Sequence, residues 1–330
     1  MLRSEITSRT PRATPKRPAA AARKPAPKRV VARAGKPVIQ RSQPLVLTSD
    51  TSVHEAFAAI ARACRDHWDA NHAAAVLGQP EGIHQFRVGL RRFRTALTLF
   101  RQHLPEDQHA WMRAEAKGLG DLLSRARDLD VFLTELAPRD AKSAEMVRIA
   151  QQSRADAQGR VTATLSGARY RRFLNRLDVW LDGKGWQPDP AASSSAKDFA
   201  RTGLNRRLAK IQKRVRHVAD ASPQELHDLR IAIKKLRYGM EFFQSLLPER
   251  RTQRLGRLLK ALQDSLGRLN DLDVAERTIG VLTSKAHSDE ARTAVGRAGS
   301  SLAASFKPLV KTAQPEAARI AERLRAHRPL

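Results

Sequence analysis

The sequence predicts an all-α protein, two helical bundles related by internal duplication, preceded by a disordered basic tail. Three observations lead to this fold class. Apolar residues recur at helical spacing from about residue 48 to the end, with no sustained alternation of period two. The chain matches itself without a gap at an offset of 143 residues. The first segment is too charged and too rich in proline to bury a core.

That first segment, residues 1–47, is built from Ala, Pro, Lys and Arg, with Glu5 as its one acidic residue before Asp50. Two roles are open to it: a flexible arm that contacts a polyanion, nucleic acid included, or a solubilising extension. It lacks the continuous apolar stretch of a secretory leader. Pro11, Pro15, Pro18, Pro25 and Pro27 interrupt the amphipathic helix that a transit peptide needs.

Over the whole chain, 61 Lys and Arg face 33 Asp and Glu, a formal net charge of +28. Such an imbalance selects polyanionic partners: nucleic acid, phosphate polymers or anionic surfaces. Aromatic residues make up only 5%, which argues against a stacking platform for single-stranded bases. No apolar run approaches the roughly 18–20 residues of a membrane span, so no membrane partner is expected. Cys64 is the one cysteine, which excludes an intramolecular disulfide and a cysteine-based zinc cluster.

The first bundle is expected over 48–185. Thr48, Ser49 and Asp50 offer N-caps, and Val53, Phe57, Ile60 and Cys64 follow at helical spacing. Gly, Pro and Ser cluster without periodicity near 183–197, placing a linker at 186–197. Periodicity resumes at Phe199, Leu204, Leu208 and Ile211, so the second bundle is expected over 198–330.

The duplication carries the functional signal. HQFRVGLRRFRTALTLFRQHLP at 84–105 lies over HDLRIAIKKLRYGMEFFQSLLP at 227–248. At the same offset Lys117 meets Lys260, Asp121 meets Asp264, Arg125 meets Arg268, and DLDV at 128–131 meets DLDV at 271–274. On a helix of about 100° per residue, His84, Arg87, Arg91, Arg94 and Arg101 form one stripe about 100° wide. Phe86, Leu90, Phe93, Leu97 and Phe100 form the apolar face beside it, and Arg92 lies apart. The second copy repeats the plan, with His227, Arg230, Lys234 and Arg237 on the stripe and Lys235 off it. A solvated helix face ordinarily mixes its charges. In its first copy this row has no acid at i+3 or i+4 and is arginine-rich, and it recurs in register, which points to phosphate contact.

Other candidates are more ambiguous. His84 and His227 can bond a phosphate or satisfy a helix end. The carboxylates of RDLD (127–130) and NDLD (270–273) suggest acid–base work or a divalent ion. The plainer role is that Asp128 and Asp271 hold the stripe arginines from a neighbouring helix. Lys117 and Lys260 are better placed for a ligand surface, while Arg171 and Arg172 in YRRF have no second-half match. No histidine pair shares a helix face, so no metal is expected. Gly-rich phosphate loops, a GxSxG elbow and HExxH are all absent, and neither cofactor nor catalysis is indicated.

The pattern HxxRVxxRRxRxxLxxF at 84–100, its echo at 227–243 and the twice-occurring DLDV motif resemble the CHAD domain, the conserved histidine α-helical domain. The resemblance covers about residues 50–325. It implies two helical bundles about a pseudo-twofold axis, with basic residues of both lining a central cavity that binds inorganic polyphosphate. It further implies a cytoplasmic protein associated with polyphosphate granules. His84, Arg87, Arg91 and Arg92 match its first motif, and His227, Arg230, Lys234, Lys235 and Arg237 its second. Lys117, Arg127 and Lys260 match basic positions near the aspartate motif. Asn270 stands where the first copy has Arg127. No ExExK strand of a fused triphosphate-hydrolysing domain occurs. The leading expectation is thus non-catalytic polyphosphate binding, and the alternative is general nucleic-acid binding through the tail.

Overall fold

The computed structural model describes residues 37–137, 140–184 and 195–330. The expected disordered arm therefore lies outside the described residues as far as residue 36, and the expected linker as far as residue 194. Among the described residues there is no strand, only an isolated bridge between Ser52 and Ser195.

The described residues form ten α-helices in order: α1 (Val53–Ala70), α2 (His72–Val76), α3 (Pro80–Leu99), α4 (Glu106–Val131), α5 (Ala144–Leu165), α6 (Ala168–Val179), α7 (Ala196–Arg214), α8 (Pro223–Phe242), α9 (Glu249–Ser284) and α10 (Asp289–Arg325). Their starts obey the sequence offset. Pro80 opens α3 and Pro223 opens α8, each at the first turn, where a missing N–H costs nothing. Pro105 and Pro248 take the same place before α4 and α9. The register also extends upstream of the sequence match, since Ser52 caps α1 and Ser195 caps α7. These serines, rather than Thr48, Ser49 or Asp50, start the helices. Ser52 closes a reciprocal capping box with Glu55, satisfying two backbone donors. Ser195 to Lys197, expected in the linker, belong instead to the cap and first turn of α7.

The core faces read from the wheel are buried. Phe86, Leu90, Phe93, Leu97 and Phe100 are at most 1% exposed, and Leu229, Ile233, Leu236, Met240 and Phe243 at most 4%. Both halves contribute to one hydrophobic cluster that runs from Leu47 to Leu330. Each half repeats a packing chain, α1 on α3 on α4 and α7 on α8 on α9, and α3 meets α8 where the halves join. At that junction residues touch their own equivalents. Ser52 bridges Ser195, and the rings of Phe100 and Phe243 lie 6.1 Å apart. A local twofold axis passes between the members of each pair.

The halves diverge outside this frame. At the same offset, α5 and α6 together correspond to the single long α10, and the break at Gly167 has no counterpart in it. The end of the segment read as tail also differs from expectation. Residues 37–47 have no regular secondary structure but are tied to the helices: the Gln40 N–H donates to Asn71 Oδ1 (3.1 Å), and Asn71 Nδ2 donates to the Gln40 carbonyl (2.9 Å). The Leu47 N–H donates to Ser245 Oγ (2.8 Å), and the Leu47 side chain joins the core. Four apolar or polar anchors outweigh the low hydrophobicity of this stretch taken alone.

Candidate functional site

Because α3 and α8 cross near the axis with their apolar faces inward, the stripes beside those faces are brought together. Arg87, Arg91 and Arg94 of α3 and Arg230, Lys234 and Lys235 of α8 line one cavity of about 610 Å³. His227 joins them. Arg91 and Lys234 are equivalents across the axis, as are Arg87 and Arg230. The duplication therefore faces cation against cation.

This arrangement is electrostatically costly without a ligand. Burial and then Arg91 hold the Arg87 guanidinium down to about 10, still protonated in neutral solution. Burial also lowers Arg94 and Arg230, with Asp121 and Asp271 respectively opposing the effect. Lys234 is affected most: burial, then Arg91, Arg230 and Arg87, push its ammonium down to about 7. Lys235 is lowered by burial and then by Arg207, Arg94, Arg113 and Arg214. A polyanion entering here would favour the charged form of each.

The two carboxylates sit on the neighbouring helices, within electrostatic reach of the stripe arginines. Asp128 on α4 faces Arg87, and Asp271 on α9 faces Arg230; burial raises both acids while these arginines act to lower them. Arg87 Nη2 also donates to Ser124 Oγ at 2.9 Å, which fixes the guanidinium from α4. Asp130, the second acid of the motif, is spent in a buried ion pair with Arg154 that ties α4 to α5.

Several expected site residues are placed elsewhere. Arg92 turns away from the cavity into the core. Its side chain is 7% exposed, pairs with Glu241 of α8, and lies over the Phe242 ring at 5.0 Å. The offset of about 100° from Arg91 does not by itself remove it, since its equivalent Lys235 lines the cavity; the pairing with Glu241 and Phe242 does. Lys117 and Lys260 are exposed and pair with Asp121 and Asp264, each at 2.7 Å. Arg237 donates to Gln263 Oε1 at 3.0 Å, and Arg268 pairs with Glu316 of α10. Arg171 and Arg172 sit exposed on α6, where Arg171 donates to the Ser166 carbonyl. Arg127 lies 3.8 Å from Glu135, and the Asn270 side chain that breaks its symmetry is outside the described residues. His84 is half-buried and not on the cavity wall. Burial and then Arg127 hold its imidazole below the ordinary value, with Glu81 opposing.

Two cavity cations escaped the sequence reading, Arg113 of α4 and Arg277 of α9. Neither has a basic equivalent, since Gly256 and Thr134 stand at the matching positions. A search for repeated residues cannot find them. The helical spacing of Arg113, Asp121, Ser124 and Asp128 along one face of α4 was the available signal. No group of three or more His, Cys, Asp or Glu side chains suited to a metal ion occurs among the described residues. None of their helices is long and apolar enough to cross a membrane.

Fold and site together define a class, an internally duplicated all-helical protein whose twofold-related helices enclose a cationic cavity. The chain belongs to the CHAD domain family, whose model matches residues 59–280. It is similar to the crystal structure of the CHAD domain from the plant Ricinus communis, with a TM-score of 0.76 and 30% identity over 88% of this chain and 98% of that one. PptA from Streptomyces chartreusis shares the fold, with a TM-score of 0.61 at 16% identity over 82% of this chain and all of that one. In sequence the chain resembles the uncharacterized protein Rv2226 of Mycobacterium tuberculosis, 27% identical over 176 residues. That match spans 48% of this chain and only 33% of the mycobacterial protein.

Proposed function

We propose that this protein binds inorganic polyphosphate, without turning it over, in the cavity between α3 and α8. The observation that carries this reading is the juxtaposition of Arg87 and Arg91 with Arg230 and Lys234. Folding holds these cations together against their mutual repulsion, and the neighbouring acids offset only part of it. A linear phosphate chain supplies one charge after another in a thread narrow enough for a cavity of about 610 Å³, which a nucleic-acid duplex is too wide to enter. Guanidinium forks and ammonium groups then give charge-assisted bonds in a partly desolvated setting, and counter-ion release adds affinity. Association with polyphosphate granules in the cytoplasm is part of the same proposal.

The test is binding of labelled long-chain polyphosphate at near-physiological salt, with duplex DNA as competitor. The paired reversal Arg87→Glu and Arg230→Glu is expected to abolish binding with helical circular dichroism unchanged. Undiminished affinity of that variant sinks the cavity as the site. Ready displacement by DNA shifts the case to general polyanion binding, and phosphate release above a protein-free control marks an enzyme.

A further inference from the structure

The two halves match in register but not on one face. At the offset of 143, Arg207, Lys210, Lys213 and Arg214 of α7 correspond to Cys64, His67, Ala70 and Asn71 of α1. In the first half Cys64, His67 and Asn71 are buried. Gly89 lets α1 approach α3 so closely that a Cβ there would sit 3.0 Å from Trp68, and the Gln40 backbone seals Asn71. Arg92 lies beside Cys64 and His67 here, paired with Glu241.

In the second half the equivalent groove is open. Ala232 stands in place of Gly89, and a cavity of about 420 Å³ lies between α7 and α8, walled by Arg207, Lys210, Arg214 and Lys235. It runs on into a further cavity of about 620 Å³ that shares Lys210 and Arg214 and adds Lys213. It adjoins the central cavity, and Lys235 and Ile231 line both. Arg207 marks the passage. Its guanidinium donates to the carbonyl of Thr98, itself on the wall of the central cavity. Two acids share these walls, Asp228, which accepts from Gln224 (3.2 Å), and Glu225, which closes the capping box of α8 with Ser222; Arg207, Lys210, Lys213, Arg214 and Lys235 outnumber them.

The other neighbour of the central cavity is different. Beyond His227 and Arg277 its walls carry Asp273 and Glu276 beside Leu266, Leu269 and Leu272. On that side Asp273 pairs with Arg277 and Glu276 adds a further negative charge, whereas cations outnumber acids along α7.

We infer that the groove between α7 and α8 is a second phosphate-binding track, continuous with the central site, along which a long polyphosphate leaves the cavity on one side only. This rests on the central reading. The chain is held first by the paired stripes, then handed by Lys235 to Arg207, Lys210 and Arg214. The track makes affinity depend on chain length in a way the central cavity alone does not.

The test compares tripolyphosphate with long-chain polyphosphate on the full chain, by calorimetry at low salt. The variant Lys210→Ala, Lys213→Ala, Arg214→Ala removes exposed charges, and circular dichroism checks its folding. Its matched control, Arg160→Ala, Arg171→Ala, Arg172→Ala, removes as many exposed charges from α5 and α6. The track variant is expected to bind tripolyphosphate as the parent does and to lose about 10- to 100-fold in long-chain affinity, with a shallower salt dependence. The control is expected to lose far less. Unchanged long-chain affinity overturns the track. So does an equal loss for both ligands, or for both variants, since either reports bulk charge. A parent protein that binds neither ligand removes the central site together with the track.

Discussion

Lys234 makes the proposed site sensitive to pH in a calculable way. Its ammonium sits opposite Arg91 and beside Arg230 and Arg87, with Asp271 the one acid acting for it, and titrates near 7 in the ligand-free protein. A polyphosphate chain adds negative charge at that point and returns the group toward the ordinary lysine range, so binding takes up a proton above pH 7. The sign follows: affinity is fully present below pH 7 and falls about tenfold per pH unit above it. Between pH 7 and pH 9 the loss is roughly fiftyfold, about 2 kcal/mol. Calorimetry in two buffers of different ionisation enthalpy reads the uptake directly, about 0.9 proton per site at pH 8. Long chains are needed, since their interior phosphates stay ionised across this range. Lys234→Arg, which cannot discharge, is expected to flatten the profile. A parent profile already flat from pH 6 to pH 9, or the same slope in Lys234→Arg, refutes the reasoning.

Two further outcomes concern stability, read from thermal or urea unfolding. Arg92→Ala is expected to cost about 2 kcal/mol, below the usual range for a broken buried pair because Glu241 is 40% exposed. Polyphosphate affinity of the folded fraction should not change, and Arg92→Met with Glu241→Met should recover most of the loss. Gly82→Val is expected to destabilise by roughly 3 kcal/mol or more, since even a Cβ at Gly82 would meet Ala74 Cβ at 2.5 Å and the Ala74 backbone at 2.8 Å. A neutral effect means that α2 can move off α3.

The duplicated centre was legible because two constraints act on it together. Positions such as Phe86 and Leu229 must face the core, and Arg87 and Arg230 must face each other's stripe, so both residue type and register persisted in 84–131 and 227–274. Upstream, Val53–Ala70 and Ala196–Arg214 kept the helix and its serine cap but not the residues, because one helix is sealed by Gln40 and Arg92 and the other is open. Sequence comparison lost the repeat there while the fold retained it. Arg92 looked like a ligand residue from its place in the motif although the wheel set it off the stripe, and its side chain turns into Phe242 and Glu241. Arg113 and Arg277 were invisible for the opposite reason, being cavity cations with no twin.

The serine pair and the phenylalanine pair at the junction have a historical meaning. A residue that touches its own counterpart across a twofold axis is the mark of an isologous dimer contact. Ser52 with Ser195 and Phe100 with Phe243 are such contacts made within one chain. The molecule has the form of a homodimer whose subunits were joined end to end. While subunits are identical, every substitution is made twice, and sealing one groove seals the other. Covalent joining lifts that restriction, which is how one half can be closed and the other left open around a centre that both still share.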